Sequence, residues 1–256
     1  KSLTKEEVAL AMNQIMNGEA TDAQIGAFIA GLRINKETPE IIASAAAVMR
    51  EHAIHISCDD PYAVDIVGTG GDESHTFNIS TTSAFVVAGA GITVAKHGSY
   101  GVSSLCGSAN VLDKLGVNIQ YTPTSMEKCL SSIGIAFLFA PTLHPAMKNV
   151  VRARKELGVW SLFNILGPLC NPANVYRGLT GVFKSELLSI VAEASQQLKN
   201  NHQFIVHGKD GLDEITTTSS TEIIEIKNGQ CHKSSFHPED LKIPTAKKED
   251  LKGGTP

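Results

Sequence analysis

The sequence predicts an α/β fold: a small N-terminal helical domain followed by a large α/β domain with a mostly parallel central sheet. Two textures carry that prediction. The first fifty residues place apolar side chains at helical spacing between helix-start signals, and beyond Pro61 helical patterns alternate with short β-branched runs. Alternation of that kind is what strand–helix–strand units with parallel neighbours produce. The chain has 256 residues, long enough for one large domain, or a small one and a large one, with a sizeable core.

The elements follow in order. Leu3-Thr4-Lys5-Glu6-Glu7 sets a Glu three residues after a Thr, a capping box. Val8, Met12, Ile15 and Met16 then recur on one helical face, and Gly18 ends the segment. Thr21 caps a second helix with Ile25, Phe28, Ile29 and Leu32 on one side. Thr38-Pro39-Glu40 opens a third, with Pro at its first position, that runs through Ala43–Met49. This region reads as a packing module and not as a catalytic one. Ala63-Val64-Asp65-Ile66-Val67 is a short apolar strand. Thr81–Ala90 reads as a helix, Ile92–Ala95 as a strand, Ala109–Leu115 as a helix and Val117–Ile119 as a strand. Phe137–Phe139 and Phe204–His207 are further strands, and Glu222–Lys227 is a strand ending in an Asn228-Gly229 hairpin turn.

Composition narrows the function classes. The chain is 42% apolar and 19% charged, ordinary values for a soluble globular protein. A net charge of -4 with no long Lys/Arg run argues against a nucleic-acid footprint. The apolar stretch Ala84–Ala95, broken by Gly89 and Gly91, is too short to span a bilayer. Cys58, Cys106, Cys129, Cys170 and Cys231 are odd in number and form no CxxC pair. That disfavours a disulfide framework or a zinc site and favours a reducing compartment.

Four segments carry chemistry. The first strand runs into Gly68-Thr69-Gly70-Gly71-Asp72, followed by Asn78-Ile79-Ser80-Thr81 at a helix start. Glycines let a backbone approach an anion, and helix N-termini offer free N–H groups; a purely structural turn is the competing reading. The spacing is neither that of a Rossmann fingerprint nor that of a Walker loop. Next, Lys96-His97-Gly98-Ser99-Tyr100-Gly101-Val102-Ser103-Ser104 follows another strand, with Ser108 just beyond. A lone Lys there is a solvated surface residue, but two loops at strand C-terminal ends are what an open α/β sheet uses to hold a ligand. Third, Asp213-Glu214 is either a solvated surface pair or a Mg2+ site, since that ion takes one or two carboxylates together with substrate phosphates. Fourth, His144 is followed ten residues later by Arg154, which either forks onto a carboxylate or lies on a helix surface.

These segments in series, with Arg154-Lys155-Glu156-Leu157-Gly158, Phe163-Asn164-Ile165-Leu166-Gly167-Pro168-Leu169, Asn171-Pro172 and His207-Gly208 ahead of Asp210-Gly211-Leu212-Asp213-Glu214, closely resemble the anthranilate phosphoribosyltransferases. The resemblance covers essentially the whole chain. It implies a helical domain over 1–57, joined by helices around 142–157, beside an α/β domain over 61–256, with the active site between them and a cytoplasmic homodimer formed through the helices. It implies transfer of the phosphoribosyl group from phosphoribosyl pyrophosphate to anthranilate, in tryptophan biosynthesis. The donor site would be Gly68, Gly71, Asp72, Thr76, Asn78, Ile79, Ser80, Thr81, Lys96, Ser104 and Ser108. Ser80, Asp213 and Glu214 would hold Mg2+, with Lys96, Asp213 and Glu214 as the catalytic set. Gly68, His97, Ser99, His144 and Arg154 would face anthranilate. The family has Asn after Lys-His-Gly where this chain has Ser99, so a weaker contact to the substrate amine is expected. The family also continues beyond Gly253-Gly254-Thr255-Pro256 and has a further helix at its start, so a truncated chain with part of its α/β core uncovered is expected. A pyrimidine nucleoside phosphorylase of the same fold, or a non-catalytic nucleic-acid-binding relative, is the alternative; the former leaves Asp213-Glu214 unexplained, and the lack of a basic footprint opposes the latter.

Overall fold

The computed structural model of the chain describes residues 3–72, 74–101 and 106–255. Ser104, assigned above to the donor site, lies outside the described residues with its neighbours Val102 and Ser103.

Three helices open the chain: α1 (Lys5–Met16), α2 (Asp22–Asn35) and α3 (Pro39–Glu51). Each begins where a threonine hydroxyl accepts the backbone N–H three residues ahead. Glu7 N donates to Thr4, Gln24 N to Thr21 and Ile41 N to Thr38, at 3.2, 3.3 and 3.4 Å. Such caps satisfy N–H groups that have no partner inside the helix. The apolar faces do not close on themselves. They merge into one core with α8 (Lys148–Leu157), α9 (Leu162–Leu166), α10 (Ser185–Gln197) and the sheet residue Ile205. Polar ties reinforce the join: Asn149 Nδ2 donates to the carbonyls of Ile15 and Met16 at 3.3 and 3.0 Å, and Arg50 Nε to that of Leu169 at 2.7 Å.

The main sheet has the order β1 (Asp65–Gly68), β4 (Arg177–Gly181), β5 (His202–Gly208), β6 (Thr221–Lys227), β7 (Gln230–Phe236). Its first three strands are parallel, and β6 and β7 run antiparallel at the edge. The sheet is therefore parallel at its core and mixed overall. β7 folds back on β6 because Asn228 and Gly229 both take left-handed φ, 51° and 75°, which closes a two-residue hairpin. A second, two-stranded parallel sheet joins β2 (Val94–Gly98) to β3 (Ile135–Phe139). An isolated bridge from Val64, just ahead of β1, to Val94 ties it to the main sheet.

Three expectations are corrected. The strand expected over Ile92–Ala95 is displaced to Val94–Gly98, so Lys96 and His97 lie on the strand itself and both are buried, not on a loop beyond it. The helix expected from Thr81 begins at Ile79, as α4 (Ile79–Gly89). Val117–Ile119 is not a strand. After α5 (Ser108–Lys114) and a left-handed Gly116, Ile119 alone turns inward to pack on Ala109, Leu112, Phe137 and Phe139, and Val117 stays exposed. The sequence reading also omits α6 (Pro123–Ile133), although Thr122-Pro123 repeats the signal of Thr38-Pro39, and it omits β4 and α10.

Candidate active site

The site is built where β1, β2, the start of α4 and the turn after β5 meet. The backbone leaves β1 through Gly68 and passes directly against the Asp213 carboxylate: a Cβ on Gly68 would overlap Asp213 Oδ2. Gly70 and Gly71 take left-handed φ of 65° and 85°, and the first presents its N–H to Asp213 Oδ2 at 2.8 Å. Thr69 N donates to Gly181 O at 2.9 Å, which ties the turn to the end of β4. The turn carrying Asp213 is itself braced. Asp210 accepts from Thr216 Oγ1 at 2.6 Å, from Leu212 N at 3.3 Å and from Thr218 Oγ1.

Asp213 and Glu214 are therefore not a solvated pair. Burial and the nearby Asp72 charge push the Asp213 carboxyl up to about 6. Burial and the Asp213 charge push that of Glu214 up to about 8. Lys96 stands opposite: its ammonium donates to Ile66 O at 2.7 Å and to Ser80 Oγ at 3.2 Å. Burial depresses its pKa, and the charges of Asp65 and Glu214 raise it again. Ser80 sits in the first turn of α4, where N–H groups have no intrahelical partner. Its neighbour Thr81 donates to Asn78 Oδ1 and lies 2.9 Å from Ser108 Oγ, so Asn78, Thr81 and Ser108 form one hydroxyl–amide cluster beside Ile79.

A second cluster adjoins the first through His97. His97 Nδ1 lies 3.1 Å from Gly167 O, which fixes that nitrogen as the donor and leaves Nε2 as a buried lone pair with no protein partner. The His144 ring lies 5.0 Å from the His97 ring, centroid to centroid. Both stay uncharged, since burial holds His97 at about 3 and His144 at about 4. Arg154 is half-buried in the last turn of α8, with its guanidinium 5.5 Å from the centre of the Phe163 ring. Among the described residues it makes no ion pair, so its charge has no carboxylate to answer it. Ser99 follows β2, and its backbone carbonyl accepts from Ala109 N at 3.2 Å. Thr76, on the segment between the glycine turn and α4, is bridged to Lys252.

Several residues here escape sequence reasoning. A Cβ on Gly71 would stand 3.8 Å from Trp160 and 3.9 Å from Phe183, so these rings wall the glycine turn. The Arg33 guanidinium lies 5.3 Å above Trp160. No local pattern marks them, because they come from separate segments. Asp65 and Asn171 are likewise buried at the site, bonded to each other at 2.8 Å. Only Asn171, within the Asn171-Pro172 motif, carried any signal.

Comparison with known proteins places this geometry in a family. Residues 1–53 match a model described as "Glycosyl transferase family, helical bundle domain", and residues 60–256 match "Glycosyl transferase family, a/b domain". The anthranilate phosphoribosyltransferase of Alkaliphilus metalliredigens is 48% identical over 254 residues, covering 99% of this chain and 75% of that protein. That of Acinetobacter baylyi is 50% identical over 244 residues, covering 95% and 70%. Among solved structures, the Thermus thermophilus enzyme superposes with a TM-score of 0.93 at 38% identity, over 100% of this chain and 76% of that one. The Saccharomyces cerevisiae enzyme, in complex with phosphoribosyl pyrophosphate and Mg, gives 0.91 at 28%, over 99% and 73%. The chain belongs to the anthranilate phosphoribosyltransferase family.

Proposed function

We propose that the chain transfers the 5-phosphoribosyl group of phosphoribosyl pyrophosphate to the amine of anthranilate, releasing pyrophosphate, with Mg2+ as its cofactor, in tryptophan biosynthesis. The observation that carries this reading is the division of the site. Lys96, Ser80 and the Asp213-Glu214 pair gather under the glycine turn, and a neutral histidine pair with an unanswered arginine lies beside them. The first suits a magnesium diphosphate, the second a small aromatic acid.

The donor set fits Mg2+. Asp213, Glu214 and Ser80 offer hard oxygen atoms, and the burial and crowding of negative charge that raise the carboxyl pKa values are what a divalent cation offsets. When bound, the ion supplies positive charge to the departing pyrophosphate. The chain's own residues do the rest by positioning and charge. An aromatic amine is already a neutral nucleophile near pH 7, so no strong base is needed, and the transition state at the anomeric carbon has oxocarbenium character. Lys96 holds a fixed cation beside Ser80. Arg154 receives the anthranilate carboxylate, and the lone pair on His97 Nε2 accepts from its amine. Ser99 stands near the same amine on a short arm.

Loss of anthranilate fluorescence on adding phosphoribosyl pyrophosphate and Mg2+ tests the reading; thymidine phosphorolysis in place of it would overturn it. Arg154→Ala is expected to raise the anthranilate KM by about ten- to a hundredfold, as loss of a charged hydrogen bond costs about 1.5–3 kcal/mol. The donor KM should move less than about threefold on the same argument, and equal effects on both substrates would refute the division. Gly253→Ala is expected to act on the donor. Gly253 N donates to His75 O at 2.8 Å and Phe77 N to Leu251 O at 2.9 Å, and a Cβ on Gly253 would overlap Thr76 O. Pushing the 75–77 segment aside should raise the donor KM by up to about a hundredfold, the scale of an ångström's misplacement. Steady-state kinetics beside a melting curve decide it.

A homodimer formed through the helical domain, 1–57, is part of the same proposal. Leu10 and Ile34 are 63% and 80% exposed on α1 and α2, in keeping with a covered helical face. A cytoplasmic setting agrees with an odd number of cysteines and no CxxC pair. Among the described residues no helix is long and apolar enough to cross a membrane.

A further inference from the structure

A buried carboxylate behind the site has no part in the chemistry described so far. Asp65 opens β1, is 4% exposed, and touches none of the residues expected to meet substrate except through their backbones. Its place in the β1–β2 seam is informative. The parallel ladder between these strands starts normally: Val64 N donates to Thr93 O at 2.9 Å and Ala95 N to Val64 O at 3.0 Å. In a regular parallel pair the next donor on β2, His97 N, would reach Ile66 O. It does not. His97 N donates instead to Asp65 Oδ1 at 3.1 Å, and Ile66 O accepts the Lys96 ammonium at 2.7 Å. The side chain of Asp65 has taken over a ladder acceptor's role and released a backbone carbonyl to seat the lysine. Its other oxygen, Oδ2, accepts from Asn171 Nδ2 at 2.8 Å. That same Nδ2 donates to Ala95 O at 2.9 Å, and Asn171 Oδ1 accepts from Ala173 N at 2.9 Å, so the amide has no freedom to turn over.

We infer that Asp65 is a positioning residue for phosphoribosyl transfer: by ending the β1–β2 ladder at His97 N, its carboxylate frees Ile66 O to hold Lys96 toward Ser80. The inference rests on the role given to Lys96 above. A carboxylate is needed because both of its oxygens face donors, His97 N on one side and Asn171 Nδ2 on the other. An amide of the same shape must turn its NH2 toward one of them and leave donor against donor. The Asp65 charge also faces the Lys96 ammonium, which burial would otherwise disfavour. Substrate need never touch Asp65 for its loss to be felt.

The test is a double-mutant cycle on the full chain with Mg2+, reading donor and anthranilate kinetics separately. Lys96→Ala should lower kcat/KM for the donor; if it does not, the role given to Lys96 falls, and this inference with it. Asp65→Asn should lower the donor kcat/KM by about ten- to a hundredfold and change the anthranilate KM by less than about threefold. In the Lys96→Ala background the same substitution should have less than about a twofold effect, because residues acting through one another are not additive. A merely structural Asp65 would lower the melting temperature, leave the kinetics of the folded enzyme intact, and act equally in both backgrounds. Either result overturns the inference while leaving the function standing. Should Asp65→Asn fail to fold, Asn171→Ser keeps the carboxylate and removes its partner. It should shift the donor kcat/KM in the same direction by about three- to tenfold, and unchanged donor kinetics in that folded variant would overturn the inference as well.

Discussion

Replacing Asp213 by Asn together with Glu214 by Gln is expected to lower Mg2+-dependent turnover by about a hundred- to a thousandfold, the scale seen when preorganised charge stabilisation is removed. The same variant is expected to melt higher than the parent when no metal is present. The sign follows from the carboxyl groups themselves. Both are held above their ordinary values of 3.8 and 4.5, at about 6 for Asp213 and about 8 for Glu214. At these two groups the folded chain therefore binds more protons than the unfolded chain between those limits, and their contribution to stability falls as pH rises through that window. The neutral amides remove that dependence. Mg2+ offsets the same cost of buried negative charge, so it should raise the parent's melting temperature more at a pH near 8.5 than near 6, where protons compete for the carboxylates. His97 and His144, lowered from 6.5 to about 3 and about 4, work the other way up to about pH 7, and do so equally in parent and double variant, so the carboxylate effect is read from the difference between the two proteins. Melting curves at the two pH values, with and without Mg2+, give the answer. An apo parent whose dependence on pH matches that of the double variant, or a Mg2+ shift that survives in the double variant, would show that this pair is not the metal site.

How much of this was legible in the sequence depended on how far each residue's partners lay along the chain. The three opening helices were legible because their determinants are local: Thr4, Thr21 and Thr38 cap N–H groups three residues away. The glycine turn and the Lys96 segment could be named as candidates because close backbone approach leaves glycines in the sequence. The exact strand limits could not. Lys96 and His97 are polar, which suggests a strand ending at Ala95, but Ile66 O and Gly167 O, thirty and seventy residues away, let them lie buried on β2. Asp213-Glu214 taken alone read more readily as a solvated pair than as a metal site. What decides it is the approach of Gly68 and Gly70, more than 140 residues earlier in the chain. Asp65 was invisible for the same reason: alone in an apolar run it reads as an ordinary strand residue, and its partner Asn171 is 106 positions away.

That long-range approach makes Gly68 the sharpest single test of the site. A methyl group there would overlap Asp213 Oδ2, and Asp213 cannot step aside cheaply, because Gly70 N–H holds the same oxygen at 2.8 Å and the side chain is buried. Either the carboxylate leaves its place or the glycine turn does. Gly68→Ala is therefore expected to lower turnover by about a hundredfold through misplacement and to abolish the stabilisation by Mg2+. Overpacking of this kind destabilises by about 1–3 kcal/mol, so the variant should still fold. Gly89→Ala is the matched control. Gly89 closes α4 with nothing within 4 Å of a new Cβ, and that substitution should leave both turnover and the Mg2+ response unchanged. If Gly68→Ala keeps a normal Mg2+ shift and loses activity only in proportion to its lowered stability, then Asp213 is not held by this approach, and the glycine is there for the turn alone.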